Sequence, residues 1–340
     1  MNKSEVYIPV AERLPKPSMV IVYNPNSNIR TRNPIVARHD AQRIETLTRF
    51  VGPEGLGIDA QFIPTESAEH GRDVVKKAID DGVGAIGVIG GDGTLAPVAG
   101  ELIASEHNTH LVAFGGGTEN VLQRGLIQSK NPLKIAEATL LKGSPKKIDV
   151  GQIQDGDITY PFLTNGSAGF ATYAIRNWEA LGKKNRAQLF KEFIMTRNNF
   201  QTYDLHIKDP VEKIDREIDD VFEAIFSNFG KYGGKFDVLD SDMTDGMVEA
   251  AVFQAPQKDL INIPGVIYNA VRGGQTIKGG HYMGLQDATI TRTNGNTILF
   301  QHDGETAESK TPELRVSTKH QSVTLWVPDN TTAYGFSKPK

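Results

Sequence analysis

Residues 85–95 read AIGVIGGDGTL. A five-residue apolar run ends in Gly90, Gly91 and Gly93, with one carboxylate (Asp92) and one hydroxyl (Thr94) among them. Leu95, Val98, Ala99, Leu102 and Ile103 then recur at helical spacing. The stretch therefore reads as strand, tight turn, helix. Glycines at such a turn open backbone angles closed to other residues and let N–H groups approach an anion. The helix that follows starts with a partial positive charge that favours phosphate. A carboxylate there would repel a bare phosphate, so Asp92 points to a Mg²⁺–nucleotide complex. The plainer alternative is a tight turn with no ligand.

The same alternation extends on both sides. MVIVY (19–23), DAQFIP (59–64) and HLVAF (110–114) read as strands, with helical patterns over 34–51 and 67–81. Strands alternating with helices imply a parallel sheet covered by helices. Asn24-Pro25-Asn26-Ser27, Thr65 and the run Gly115-Gly116-Gly117-Thr118-Glu119-Asn120 each follow a strand. Small hydrogen-bonding residues thus gather at the strand ends where open α/β sheets bind ligands. No Gly-Lys-Ser/Thr occurs, so a nucleotide would be held without a P-loop lysine.

The pattern changes near Lys147. KIDVGQI and ITYPFLTNGS flank Asp155-Gly156, a hairpin signal. YDLHIK, DVFEAIFSNF, GMVEAAVFQAP, DATITRT, TILFQHDG, ELRVST and SVTLWVP follow as β-like runs, with helical insertions near 186–197 and 259–272. The expected organisation is an α/β domain over 1–148 and a mainly antiparallel β domain over 149–340, a sandwich or a barrel. KGSPKK (142–147) would be the linker. In FQHDGETAE (300–308), Asp303 and Glu305 lie two apart around Gly304; in an extended segment both would share one face and suit proton removal from a hydroxyl. The alternative is a plain turn with solvated acids. DMTDGMVEA (242–250) reads as a hairpin turn or as a metal-holding loop.

Composition excludes several classes. With 37 basic and 41 acidic residues the net charge is −4, which gives no general attraction to nucleic acid or anionic lipid. Without cysteine there is no disulfide, thiolate nucleophile or cysteine-ligated zinc. No apolar run approaches a membrane span, and the N-terminus lacks a signal-peptide core. The expected location is cytoplasmic, with at most peripheral membrane contact. An edge strand leaves a homodimer possible.

Taken in order, NPNS (24–27), Thr65 before HGRD, GGDGT (90–94), GGTEN (116–120), NGSAGF (165–170), DGMVEA (245–250) and DGE (303–305) resemble the diacylglycerol kinase and sphingosine kinase family of lipid kinases. The likeness is to its bacterial soluble members and runs from about residue 18 to 328. GGDGT alone is shared with NAD kinases; the ordered set is more specific. The resemblance implies a nucleotide-binding α/β domain and an antiparallel β domain, with ATP in the cleft between them. It implies nucleotide and phosphate contacts from Asn24, Ser27, Thr65, Gly90, Gly91, Asp92, Gly93, Thr94, Gly117, Thr118 and Asn120. It implies Asp303 as general base with Glu305 as its partner. It also implies a structural Mg²⁺ held by the Asp245 side chain and the carbonyls of Asp242 and Met247.

The chain departs from the family at Ala96-Pro97, where Asn-Glu is usual, at Val121, and at Ala171 after Gly169-Phe170, where relatives often carry Asp. Pro97 is expected in the first turn of its helix, where a missing N–H costs little. The expected activity is ATP-dependent phosphorylation of a diacylglycerol-like or other amphipathic alcohol. The alternatives are the same chemistry on a soluble acceptor (sugar, polyol or NAD) and a catalytically silent nucleotide-binding regulator.

Overall fold

The computed structural model describes residues 9–25, 34–116, 120–127, 129, 131–181, 186–232, 236–237, 239–254 and 280–329. They group into two compact units: the described residues of Met1–Lys147 with Val323–Ala333, and those of Ile148–Ser322 with Tyr334–Lys340. The expected helix near 259–272 lies outside the described residues.

The first unit begins with a short helix α1 (Val10–Arg13) and then alternates β1 (Ser18–Tyr23), α2 (Pro34–Val51), β2 (Asp59–Pro64), α3 (Ala68–Asp80), β3 (Ala85–Ile89), α4 (Asp92–Ala104), β4 (His110–Ala113), α5 (Val121–Leu126) and α6 (Pro132–Ala136). A single π-helical stretch, Glu137–Leu141, follows α6. The strands run β2-β1-β3-β4, all parallel. Met19 and Ile21 of β1 pack with Leu47 and Val51 of α2. Val20 and Val22, which alternate to the other face, are buried as well. This two-sided burial is why the strands read as unbroken apolar runs. Ser67 caps α3 by accepting the His70 N–H at 3.0 Å.

The second unit begins within β5 (Gly143–Asp155), which turns at Asp155-Gly156 into β6 (Ile158–Phe162). Next come β7 (Asn165–Gly169), the helices α7 (Phe170–Ala180) and α8 (Arg186–Asn199), β8 (Tyr203–Asp209) and β9 (Ile214–Ser227). Then follow the short pair β10 (Lys231–Tyr232) and β11 (Phe236–Asp237), β12 (Val248–Gln254), β13 (Gly280–Leu285), β14 (Asp287–Arg292), β15 (Leu299–His302), β16 (Glu305–Glu308) and β17 (Glu313–Pro328). The long strand β9 pairs antiparallel with β7 and β12 along its second half and with β8 along its first. Phe162, Phe170, Phe200, Phe226 and Phe300 centre the core, with Phe170 and Phe222 stacked at 4.9 Å.

Two features differ from the sequence reading. ELRVST and SVTLWVP are one strand, β17; its start pairs antiparallel with β14, and Thr324 and Leu325 pair parallel with β4 as a fifth strand of the first unit. KGSPKK is no free linker, because Gly143–Lys147 opens β5. A Cβ on Gly143 would sit 2.2 Å from the Thr139 carbonyl oxygen and 2.3 Å from that of Val327, so this glycine is tightly enclosed.

Candidate functional site

In the first unit, β3 delivers Gly90 and Gly91 to the start of α4, where the N-cap residue is Gly91 and supplies no side-chain cap. A Cβ on Gly90 would meet the Thr94 Cβ and Oγ1 at 2.9 Å, so Thr94 folds back over a residue that must be glycine. The second glycine run lies against the first: a Cβ on Gly116 would come within 3.1 Å of the Gly90 nitrogen. Asn120, at φ 48°, is buried beside it and accepts the Gly116 N–H at 3.4 Å.

Asp92 clamps the two runs together. Its Oδ2 accepts the Val121 N–H at 2.7 Å and its Oδ1 the Leu122 N–H at 3.1 Å. A carboxylate at the start of α5 satisfies donors the helix leaves open and complements its dipole. Thr65 donates from its hydroxyl to the Tyr23 carbonyl at 3.3 Å, tying β2 to the end of β1 beside Asn24. Ser27, Gly117 and Thr118 lie outside the described residues.

Pro97 is not in the first turn of α4 but is its sixth residue. Lacking an N–H, it leaves the Gly93 carbonyl without its i+4 helical donor. Ala96 and Val121, two of the departures from the family pattern, are buried in the core.

In the second unit, Asp303 and Gly304 form the two-residue turn between β15 and β16, closed by the His302–Glu305 pair. Both have left-handed φ, 47° and 91°, the geometry of the hairpin turn that Asp-Gly favours. This overturns the same-face argument for Asp303 and Glu305, since the chain reverses between them. Glu305 is exposed.

Asp303, by contrast, is not a solvated turn acid. Its Oδ1 accepts the N–H groups of Thr164 at 2.9 Å and Asn165 at 3.0 Å, and the Thr164 hydroxyl. Its Oδ2 accepts the Leu163 N–H at 2.7 Å, and its own N–H donates to the Asn165 carbonyl at 2.8 Å. Burial pushes its carboxyl above the usual carboxylate range, while these hydrogen bonds pull the other way. With three donors on Oδ1 and one on Oδ2, Oδ2 keeps a lone pair free.

The loop Asp242–Met247 precedes β12. The Asp242 Oδ1 accepts the Thr244 N–H and hydroxyl at 2.9 and 2.7 Å, and the Asp245 Oδ1 accepts the Met247 N–H at 3.0 Å. Burial, with Asp242 and Asp149 nearby, raises the Asp245 carboxyl above its ordinary range. Glu249 is pushed up to about 7 by burial, reinforced by the charges of Asp245 and Asp242, and its buried Oε2 has no hydrogen-bond partner among the described residues. Among the described residues no three His, Asp or Glu side chains converge as a metal site, so a cation here would rest on a single carboxylate, that of Asp245. With Asp242 Oδ1 held by Thr244, the further donors there would be backbone carbonyls.

The acid that shapes this loop was not singled out in the sequence. Asp149 is fully buried. It accepts the Gly246 and Gln321 N–H groups, each at 2.6 Å, and lies 2.8 Å from His320 Nδ1. A lone acid in KIDVGQI has no pattern to reveal it, whereas Glu249 stood within the DGMVEA motif.

Comparison with known proteins bears on both units. Residues 18–153 match the family described as the diacylglycerol kinase catalytic domain. Diacylglycerol kinases of two Mycobacterium tuberculosis strains, CDC 1551 / Oshkosh and ATCC 25618 / H37Rv, are each 24% identical over 274 residues, covering 75% of this chain and 84% of theirs. In fold the chain resembles a diacylglycerol kinase of Bacillus anthracis str. Sterne, with TM-score 0.61 and 15% identity over 93% of this chain and 98% of that one. A further crystal structure from the same organism gives TM-score 0.67 and 17% identity, covering 92% and 97%. Over the matched segment and the curated relatives, this chain is distantly similar to the diacylglycerol kinase family.

Proposed function

We propose that the chain is an ATP-dependent kinase that phosphorylates a hydroxyl of a diacylglycerol-like or other amphipathic alcohol. The observation that carries this reading is the glycine-capped start of α4, with two glycine runs packed backbone to backbone beside it. Such a helix start offers N–H donors and positive potential to phosphate oxygens. Gly90, Gly91, Gly93, Thr94, Gly117, Thr118 and Asn120 would hold the phosphates, with Asn24, Ser27 and Thr65 at the neighbouring strand ends. Asp92 acts by holding the two runs in register. ATP, when bound, supplies the phosphoryl group.

Asp303 accepts the proton of the acceptor hydroxyl at Oδ2, the oxygen with spare capacity. Its raised carboxyl makes it a better base than an ordinary aspartate. Glu305 would assist from the exposed side of the turn. Asp245, with the carbonyls of Asp242 and Met247, would hold Mg²⁺, whose charge offsets the clustered acids.

The test is γ-labelled ATP incubated with a total lipid extract and, separately, with a polar metabolite extract. Label in a lipid product is the expected result. Label only in a polar product moves the acceptor to the soluble class; no transfer, with ATP still bound, leaves a regulator.

A further inference from the structure

Beneath the Asp303-Gly304 turn, one polar row crosses three strands. Ser167 of β7, Gln301 of β15 and Thr306 of β16 are direct cross-strand partners, so their side chains share a face. Helix α7 packs against all three strands and meets both ends of the row. The Thr172 Oγ1 lies 3.2 Å from the Ser167 Oγ, and the Thr306 hydroxyl donates to Glu179 Oε2 at 2.7 Å. Thr172 and Glu179 are about two helical turns apart, and so lie on one side of α7.

The direction of each hydrogen bond in the row follows from its neighbours. The Gly304 N–H donates to Gln301 Oε1 at 2.7 Å, which orients the amide and leaves Nε2 to donate to Ser167 Oγ at 3.1 Å. The Thr172 hydroxyl donates to the Ser167 carbonyl at 3.2 Å, so Ser167 Oγ is the donor in its bond to Thr172. From Gly304 through Gln301 and Ser167 to Thr172, every donor points from the turn toward the start of α7.

Gln301 is 3% exposed, and Ser167 and Thr172 are fully buried. An apolar side chain of similar size would fill the place of Gln301 without the cost of burying an amide, but it would not hold the Gly304 N–H. That bond matters because packing does not hold this side of the turn. Gly304 is exposed, and apart from its chain neighbours no atom lies within 4 Å of where its Cβ would stand. The other side, at Asp303, is held by Leu163, Thr164 and Asn165.

We infer that Gln301 is a positioning residue for Asp303: it ties the turn, and with it the direction of Asp303 Oδ2, to the start of α7. The inference rests on the reading of Asp303 as the base. Without the Gln301 amide the turn tilts and Oδ2 loses its aim at the acceptor hydroxyl. Its proton affinity stays as it was, because the hydrogen bonds that set that affinity come from the β6–β7 corner.

The test is the initial rate of label transfer from saturating γ-labelled ATP into the total lipid and polar metabolite extracts, across pH, with ATP affinity and melting temperature measured on the same full-length proteins. Gln301→Met should lower the rate about ten- to a hundredfold, with wild-type ATP affinity and the acid limb of the pH profile unmoved. Thr172→Val, which alters a side chain in contact with neither Asp303 nor Gly304, should lower it about three- to tenfold, and Thr172→Ser should restore it. In an Asp303→Asn background Gln301→Met should add no further loss, because it acts through Asp303. A wild-type rate in Gln301→Met, whatever its melting temperature, overturns the inference; so does a shifted acid limb or a loss that multiplies with that of Asp303→Asn. If Gln301→Met does not fold, the Thr172 pair decides: a wild-type rate in Thr172→Val overturns the inference. A wild-type rate in Asp303→Asn defeats the base reading itself, and no transfer by the wild type to either extract defeats both; a low rate in Asp303→Asn beside a wild-type rate in Gln301→Met defeats the positioning role alone.

Discussion

Replacing Asp303 tests two roles that the geometry joins in one carboxylate. In Asp303→Ala, the Leu163, Thr164 and Asn165 N–H groups and the Thr164 hydroxyl lose their acceptor. Hydrogen bonds to a charged acceptor contribute about 1.5–3 kcal/mol each, but the site is half-buried and water replaces part of that. A loss of about 3 kcal/mol follows, or roughly 6–12 °C in melting temperature for a unit of this size. Asp303→Asn keeps one oxygen for the Thr164 and Asn165 donors and turns its amide toward the Leu163 N–H. It should cost only about 1–2 kcal/mol while lowering kcat about 10²–10⁴-fold. Thr164→Val separates positioning from proton transfer. The hydroxyl bond favours the ionised carboxylate, so its removal raises the pKa and moves the acid limb of the kcat/KM profile to higher pH. Thr164→Ser should restore the profile. The assays are thermal unfolding, ATP affinity and initial rates across pH. Normal kcat in a folded Asp303→Asn protein refutes the base; an unchanged melting temperature in Asp303→Ala refutes the clamp.

Asp92→Ala should weaken ATP binding at least about tenfold and destabilise the first unit by about 2–4 kcal/mol, since the buried Val121 and Leu122 N–H groups lose a charged acceptor; calorimetric ATP affinity equal to wild type would remove Asp92 from the site. His110 accepts the Trp326 Nε1–H at 3.0 Å on Nδ1, and burial lowers its pKa to about 4. As pH falls the unfolded chain takes up this proton first, so about 3 kcal/mol of stability, complete above pH ~6.5, should drain away toward pH ~4. Urea unfolding across that range reads it, and an equal slope in His110→Asn would show that another group is responsible. Mg²⁺ should raise the melting temperature of the wild type and leave Asp245→Asn unmoved; a matching rise in both would place the ion elsewhere.

The first unit was legible because its physics is local. Buried parallel strands are short apolar runs, and glycines mark where they stop; DAQFIP and AIGVI coincide with β2 and β3 residue for residue. What the sequence hid lay in long-range pairing. The end of β17 joins β4 more than 200 residues from it in sequence, and two apolar runs flanking Lys319-His320-Gln321 gave no sign of being one strand. The turn at Asp303-Gly304 was readable by the rule that identified Asp155-Gly156, but two acids around a glycine invited an extended reading. More telling is what the acids do. Asp92, Asp149 and Asp303 each spend their oxygens on backbone N–H groups far away in sequence: Asp92 on α5, Asp149 on the loop at Gly246 and the bend at Gln321, Asp303 on the β6–β7 corner. A carboxylate is suited to this because it accepts several donors and donates none. A motif can therefore mark the right acid for a reason other than the one read from it. In Asp303 the consequence is physical: the hydrogen bonds that fix the β6–β7 corner also fix the direction and the proton affinity of Oδ2, so any base chemistry at that oxygen is set by a structural clamp.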